Sequence, residues 1–365
     1  GTSNGVSYTY VAVPTVTTVV PSAGPVAGGT TVVLTGTNLS GATAVNFGAT
    51  PASSFTVDSA TQITAVAPAG TGTVQVTVTT AGGTSNGVSY TYVAVPTLTT
   101  VVPSAGPVTG GTTVVLTGTN LSGATAVNFG ATPASSFTVD SATQITAVAP
   151  AGTGTVQVTV TTAGGTSNGV AFTYVAVPTL TTVVPSAGPV TGGTTVVLTG
   201  TNLSGATAVN FGAAPATSFT VNSATQITAV TPAGTGTVQV TVTTAGGTSN
   251  GVSYTYVAVP TLTTVVPSAG PVAGGTTVVL TGTNLSGATA VSFGATPATS
   301  FTVDSATQIT AVAPAGAAGT VQVTATTVGG TSNGVSYTYV AVPTLTTVVP
   351  SAGPVAGGTT VVLTG

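Results

Sequence analysis

Apolar residues alternate with Thr, Ser and Gln in short runs along this chain, and clusters of Gly and Pro separate the runs. Between Pro14 and Val95 there are seven such runs, at residues 15–20, 30–35, 43–47, 53–58, 62–67, 73–80 and 88–93. A period of two belongs to a strand, whose successive side chains point to opposite faces. It directs Val32, Leu34, Val45, Phe47, Phe55, Val57, Ile63 and Ala65 inward, with Val74, Val76, Val78, Val88, Tyr90 and Tyr92. Thr73, Gln75, Thr77 and Thr79 then face outward. No run has a helical period. Seven short strands punctuated by turn residues such as Pro21-Ser22-Ala23-Gly24-Pro25 predict an all-β sandwich.

The pattern then repeats. Pro14, Pro96, Pro178, Pro260 and Pro343 open successive copies, 82, 82, 82 and 83 residues apart. The first two copies differ only at Val16/Leu98, Ala27/Thr109, Ser89/Ala171 and Tyr90/Phe172. The expected organisation is therefore the end of a repeat at 1–13, complete repeats at 14–95, 96–177, 178–259 and 260–342, and the start of a further repeat at 343–365. The chain is expected to be an excerpt from a longer array. Tyr92-Val93-Ala94-Val95-Pro96 joins one repeat to the next with no Gly or Ser slack, so neighbouring domains should dock and each should add roughly 35–45 Å to a rod or filament.

Composition narrows the function. The chain has no Lys, Arg, His, Cys, Met or Trp, and its only charges are Asp58, Asp140 and Asp304. Nucleic-acid binding needs cations that displace phosphate counterions, so no nucleic-acid partner is expected. Without Cys there are no disulfides, thiolate metal sites or covalent haem attachment. No apolar run reaches the 18 residues of a transmembrane helix.

The opening P-T-x-T-x-V-x-P-S-A-G-P-V-x-G-G-T-x-V-x-L-T-G-T-N-L resembles the start of an IPT/TIG domain, an immunoglobulin-like fold. F-G-A-T-P-A, Thr61-Gln62-Ile63-Thr64, Pro68-Ala69-Gly70 and Ser89-Tyr90-Thr91-Tyr92 fit the same pattern, and the resemblance covers every repeat and both fragments. It implies tandem immunoglobulin-like sandwiches of a bacterial-type surface protein.

Candidate chemistry is sparse. Ser and Thr are plentiful, but no His, Lys or Glu is present to activate them. The carboxylates come one per repeat, whereas glycoside hydrolysis needs two within about 5–9.5 Å. No catalytic residue, cofactor or metal site is expected. Calcium takes six to eight oxygens, and one Asp per repeat reads better as a turn residue at Asp58-Ser59-Ala60-Thr61, the more so because the third repeat carries Asn222 there. Tyr90 and Tyr92 could stack on a sugar, but they share a face with Val88 and Tyr90 becomes Phe172, which favours core packing. Gly28-Gly29 and Gly82-Gly83 precede strands and read as turns needing positive φ, not as phosphate cradles. Asn38-Leu39-Ser40 is a glycosylation sequon that recurs at Asn120, Asn202 and Asn284. The outward Thr rows read as strand-tolerant polar residues in preference to a surface for ice or crystalline polysaccharide.

Two functions of different class follow. The first is an extracellular or cell-surface stalk or filament of near-identical repeats that self-associates laterally or by strand exchange. The second is a multivalent adhesin or array binding surface polysaccharide, with its patch in loops 36–42 or 67–72. The second loop is lengthened at Pro314-Ala315-Gly316-Ala317-Ala318-Gly319, which suits a spacer better than a binding site. A third class, the accessory module of a secreted enzyme, would need a catalytic domain elsewhere.

Overall fold

A computed structural model describes residues 1–365. It is all-β, as the alternation predicts. The first repeat has ten strands: β1 (Thr15–Val20), β2 (Ala23–Pro25), β3 (Thr31–Thr37), β4 (Ala44–Phe47), β5 (Thr50–Pro51), β6 (Ser54–Ser59), β7 (Gln62–Val66), β8 (Gly72–Thr80), β9 (Gly83–Thr84) and β10 (Val88–Val93). One sheet runs β1-β3-β7-β6 and the other β2-β10-β8-β4-β5, with β9 paired to β8. Every pairing is antiparallel except that of β2 with β10, which is parallel. The other three repeats have the same order.

Seven of these strands are the expected ones, and β2, β5 and β9 are additional. A strand of two or three residues is too short to show alternation. Two of them contain Pro, which is depleted in strands and confined to their edges. Ala23–Pro25 accordingly reads as a turn in sequence, yet it lies beside β10, with Gly24 opposite Tyr92.

The core of the first repeat is the set that period two directs inward. Val32, Leu34, Val45, Phe47, Ile63, Ala65, Val76, Val78, Tyr90 and Tyr92 are buried. Phe55 and Val57 are half-buried, because β6 is the outermost strand of its sheet. Val74 and Val88 are half-buried as well. The core also takes Val16, Val19, Leu39 and Ala67, and Leu39 enters it from the loop after β3. Tyr90 packs edge-on against Phe47 and Tyr92, each with ring centroids 5.1 Å apart.

The chain divides into two compact units, Gly1–Val177 with Ala245–Gly247, and Pro178–Thr244 with Thr248–Gly365. The first holds repeats 1 and 2 and the second almost all of repeats 3 and 4. In the second unit, residues 343–365 contribute the hairpin Thr347–Val349 with Val362–Thr364.

Candidate functional site

The carboxylates and outward hydroxyls that the sequence singles out are engaged inside their own repeat. The Asp58 carboxylate accepts a 2.7 Å hydrogen bond from the Thr64 hydroxyl. At the third repeat the Asn222 amide donates to the Thr228 hydroxyl at the same 2.7 Å. A hydroxyl can donate or accept, so Thr serves either partner. Asp58 lies within β6, not in the turn beyond it. There the Thr61 N–H donates to Ser59 Oγ, so a Ser provides the turn chemistry expected of Asp58. The outward hydroxyls bond one another across strands: Thr73 with Thr91 at 3.0 Å, Thr79 with Thr84 at 3.1 Å, and the Gln75 amide to Ser89 at 3.1 Å.

The tyrosines are core residues. Tyr90 is fully buried with no partner for its hydroxyl, and Phe172 occupies the same place in the second repeat. Burial pushes the Tyr92 hydroxyl above its ordinary 10.0, and Tyr90 beside it adds to the rise. Tyr174, Tyr256 and Tyr339 are raised for the same leading cause. Loop 67–72 packs under this ring, since a Cβ on Gly70 would lie 2.5 Å from the Tyr92 ring. In the fourth repeat Gly316 still sits under Tyr339, whose hydroxyl donates to the Pro314 carbonyl at 2.8 Å. The extra residue is taken up beyond that contact, at Ala317-Ala318.

The Gly pairs do different jobs. Gly28 and Gly29 both have positive φ, +75° and +84°, as turn residues should. Of the second pair only Gly83 does, at +123°. Gly82 instead lies against the segment that enters the repeat: a Cβ there would land on the Ala12 carbonyl oxygen. Within the first unit, a Cβ on Gly164 of repeat 2 would land on the Ala94 carbonyl at the exit of repeat 1. Within the second, Gly329 of repeat 4 faces the Ala258 carbonyl at the exit of repeat 3. The sequon asparagine grips the same segment one residue on. Asn38 Nδ2 donates to the Val13 carbonyl at 3.2 Å, Asn120 to Val95 at 3.1 Å and Asn284 to Val259 at 3.1 Å. These asparagines have φ near +55°, a left-handed conformation that Asn tolerates better than other side-chain-bearing residues. The nitrogen a glycan would occupy is thus directed at the joint between repeats.

Gly24 and Gly188 are buried, whereas Gly270 of the fourth repeat is half-buried and its neighbours Ala269 and Pro271 are exposed. There a cleft of about 400 Å³ opens between Ala269–Pro271 and Val340, Ala341, Val342 and Pro343.

One structural residue gives no motif in sequence. Asn86, in the loop between β9 and β10, crosses to β1 and holds both backbone groups of Val16, accepting from its N–H at 3.1 Å and donating to its carbonyl at 2.7 Å. It does so beside the bulge of β1 between Val16 and Thr18. The pair recurs as Asn168 on Leu98, Asn250 on Leu180 and Asn333 on Leu262. Ser85 fixes the loop, accepting from the Val78 N–H and donating to the Asn86 carbonyl.

The family model described as IPT/TIG domain matches residues 14–92, 96–174, 178–256 and 260–339. The chain belongs to the IPT/TIG domain family. No curated protein matches it. Among solved structures, this IPT/TIG chain is similar to the full extracellular region of plexin A4, at 20% identity and a TM-score of 0.34, over 83% of this chain and 34% of that one. It is similar to invasin, a bacterial integrin-binding protein, at 18% identity and a TM-score of 0.30, over 89% of this chain and 78% of that one. It is also similar to FdeC, an Escherichia coli adhesin, at 20% identity and a TM-score of 0.27, over 67% of this chain and 97% of that one. The chain spans about a third of the plexin structure. No helix is long and apolar enough to cross a membrane.

Proposed function

We propose that these IPT/TIG repeats form a non-catalytic structural segment of an extracellular or cell-surface stalk or filament, in which the number of near-identical domains sets length. The observation that carries this is the joint within each unit. The exit segment Val93-Ala94-Val95 of one repeat lies against Gly164 of the next and is held by Asn120, with the same arrangement at Val257-Ala258-Val259. A linker without slack, packed against a glycine at one carbonyl and hydrogen-bonded at the next, fixes the direction in which a repeat follows its predecessor. Near-identity of the copies supports the same reading, since each copy then offers the same joint.

Self-association belongs to the proposal. A chain with three carboxylates and no cations has little charge to keep copies apart. Strand exchange is the finer form of it. The test is electron microscopy of the material containing this chain. Regular axial repeats with lateral contacts support the stalk or filament, and domains jointed at random angles overturn it.

A further inference from the structure

Every open sheet is a template for another strand unless its edges are blocked. In the first repeat three of the four edges are. On the open side of β1, Asn86 occupies both backbone groups of Val16. β2 has three residues and ends in Pro25, which has no N–H, and β5 is Thr50-Pro51 alone. The fourth edge is β6, six residues paired only with β7 and containing neither Pro nor Gly. Its exposed Ser54, Thr56 and Asp58 alternate with half-buried Phe55 and Val57. The one charge of the repeat stands on this strand, as the extra residue of the bulge between Val57 and Ser59. A charge on an edge strand is a recognised way to keep it unpaired, because an approaching strand takes water away from the carboxylate.

Repeats 1, 2 and 4 keep that charge as Asp58, Asp140 and Asp304, and repeat 3 does not. At Ser218–Ser223 the strand has the same length, burial pattern, bulge and register against its neighbour, and Asn222 donates to the Thr228 hydroxyl at the 2.7 Å at which Asp58 accepts from that of Thr64. The two strands differ by an amide for a carboxylate, and the amide adds a 3.4 Å contact from Asn222 Nδ2 to Gln226 Oε1.

We propose that the Ser218–Ser223 edge is a homotypic docking site, where a second copy of this chain adds its own Ser218–Ser223 strand antiparallel, while Asp58, Asp140 and Asp304 keep the other three edges apart. A second copy is the occupant because it is the partner certain to carry the same uncharged edge, and pairing two such edges buries no charge. The inference rests on the self-association part of the reading above. Its test reads mass rather than shape, so the stack of repeats can stand or fall separately.

The test is sedimentation velocity of the full chain over a concentration series, in three forms: wild type, Asn222→Asp, and the triple variant Asp58→Asn, Asp140→Asn, Asp304→Asn. All should fold, because each substitution copies what another repeat already has at that place; circular dichroism checks it. The expected result is a reversible two-chain species for wild type, a shift to single chains for Asn222→Asp, and species larger than two chains for the triple variant. A wild-type chain that stays single at every concentration overturns the proposal, as does a two-chain species that Asn222→Asp leaves intact. A triple variant that stops at two chains overturns the role given to the carboxylates.

Discussion

Asn86 and its counterparts should hold each sandwich closed. Replacing Asn86, Asn168, Asn250 and Asn333 together by Ala removes one bridge per repeat. In the second repeat the amide donates to the Leu98 carbonyl and accepts from the Leu98 N–H, both at 2.9 Å. Each hydrogen bond contributes about 0.5–1.5 kcal/mol net, so two give about 1–3 kcal/mol per repeat. The register against the neighbouring strand slips by one residue there, between Leu98 and Thr100. For a domain of this size 1 kcal/mol moves the melting midpoint by about 4–8 °C. A loss near 2 kcal/mol therefore lowers Tm by roughly 8–16 °C in calorimetry. Asn→Asp at the same four places keeps the acceptor but sets a carboxylate against the Leu98 carbonyl, so it should be no milder than Ala. A quadruple Ala variant that melts within about 2 °C of wild type would mean that water replaces the bridge at no cost, and the account of β1 would be wrong.

Further outcomes follow from the joint and the core. Gly164→Ala and Gly329→Ala push a Cβ onto the carbonyl of the preceding exit segment, so elastase should cut at Val93-Ala94-Val95 and Val257-Ala258-Val259 faster than in wild type while the domains stay folded. Tyr254→Phe and Tyr337→Phe remove a buried hydroxyl without a partner, and should leave stability unchanged or raise it by up to about 1 kcal/mol in denaturant titrations. Tyr92, Tyr174, Tyr256 and Tyr339 hold their protons above 10.0 when folded. Because the folded value lies above the unfolded one, the stability they contribute is complete below pH 10 and is lost as pH rises past it, which ultraviolet tyrosinate titration followed with circular dichroism should show.

The sandwich is legible because alternation survives in every strand long enough to carry it, from Val32-Leu34 to Val76-Val78. Where a second demand acts on a residue, pattern alone misleads. Gly82 looks like half of a turn pair, but its φ is not positive and its small size serves the joint. Asn38 looks like a sequon and works as a clamp. Asn86 carries no signal, since its partner Val16 is 70 residues away and the contact is with backbone, which leaves no trace in Val or Leu. Asp58 is visible as a lone charge, yet its place on an open edge needs the sheet order.

The central claim is that the repeats form a jointed stack of fixed advance. Electron microscopy of single chains with added or deleted 82-residue repeats tests it most directly. The account predicts that length changes by a constant increment of about 35–45 Å per repeat, with a narrow distribution of angles between neighbours. Increments that vary from particle to particle, or chains that fold back on themselves at the Val-Ala-Val segments, would contradict it.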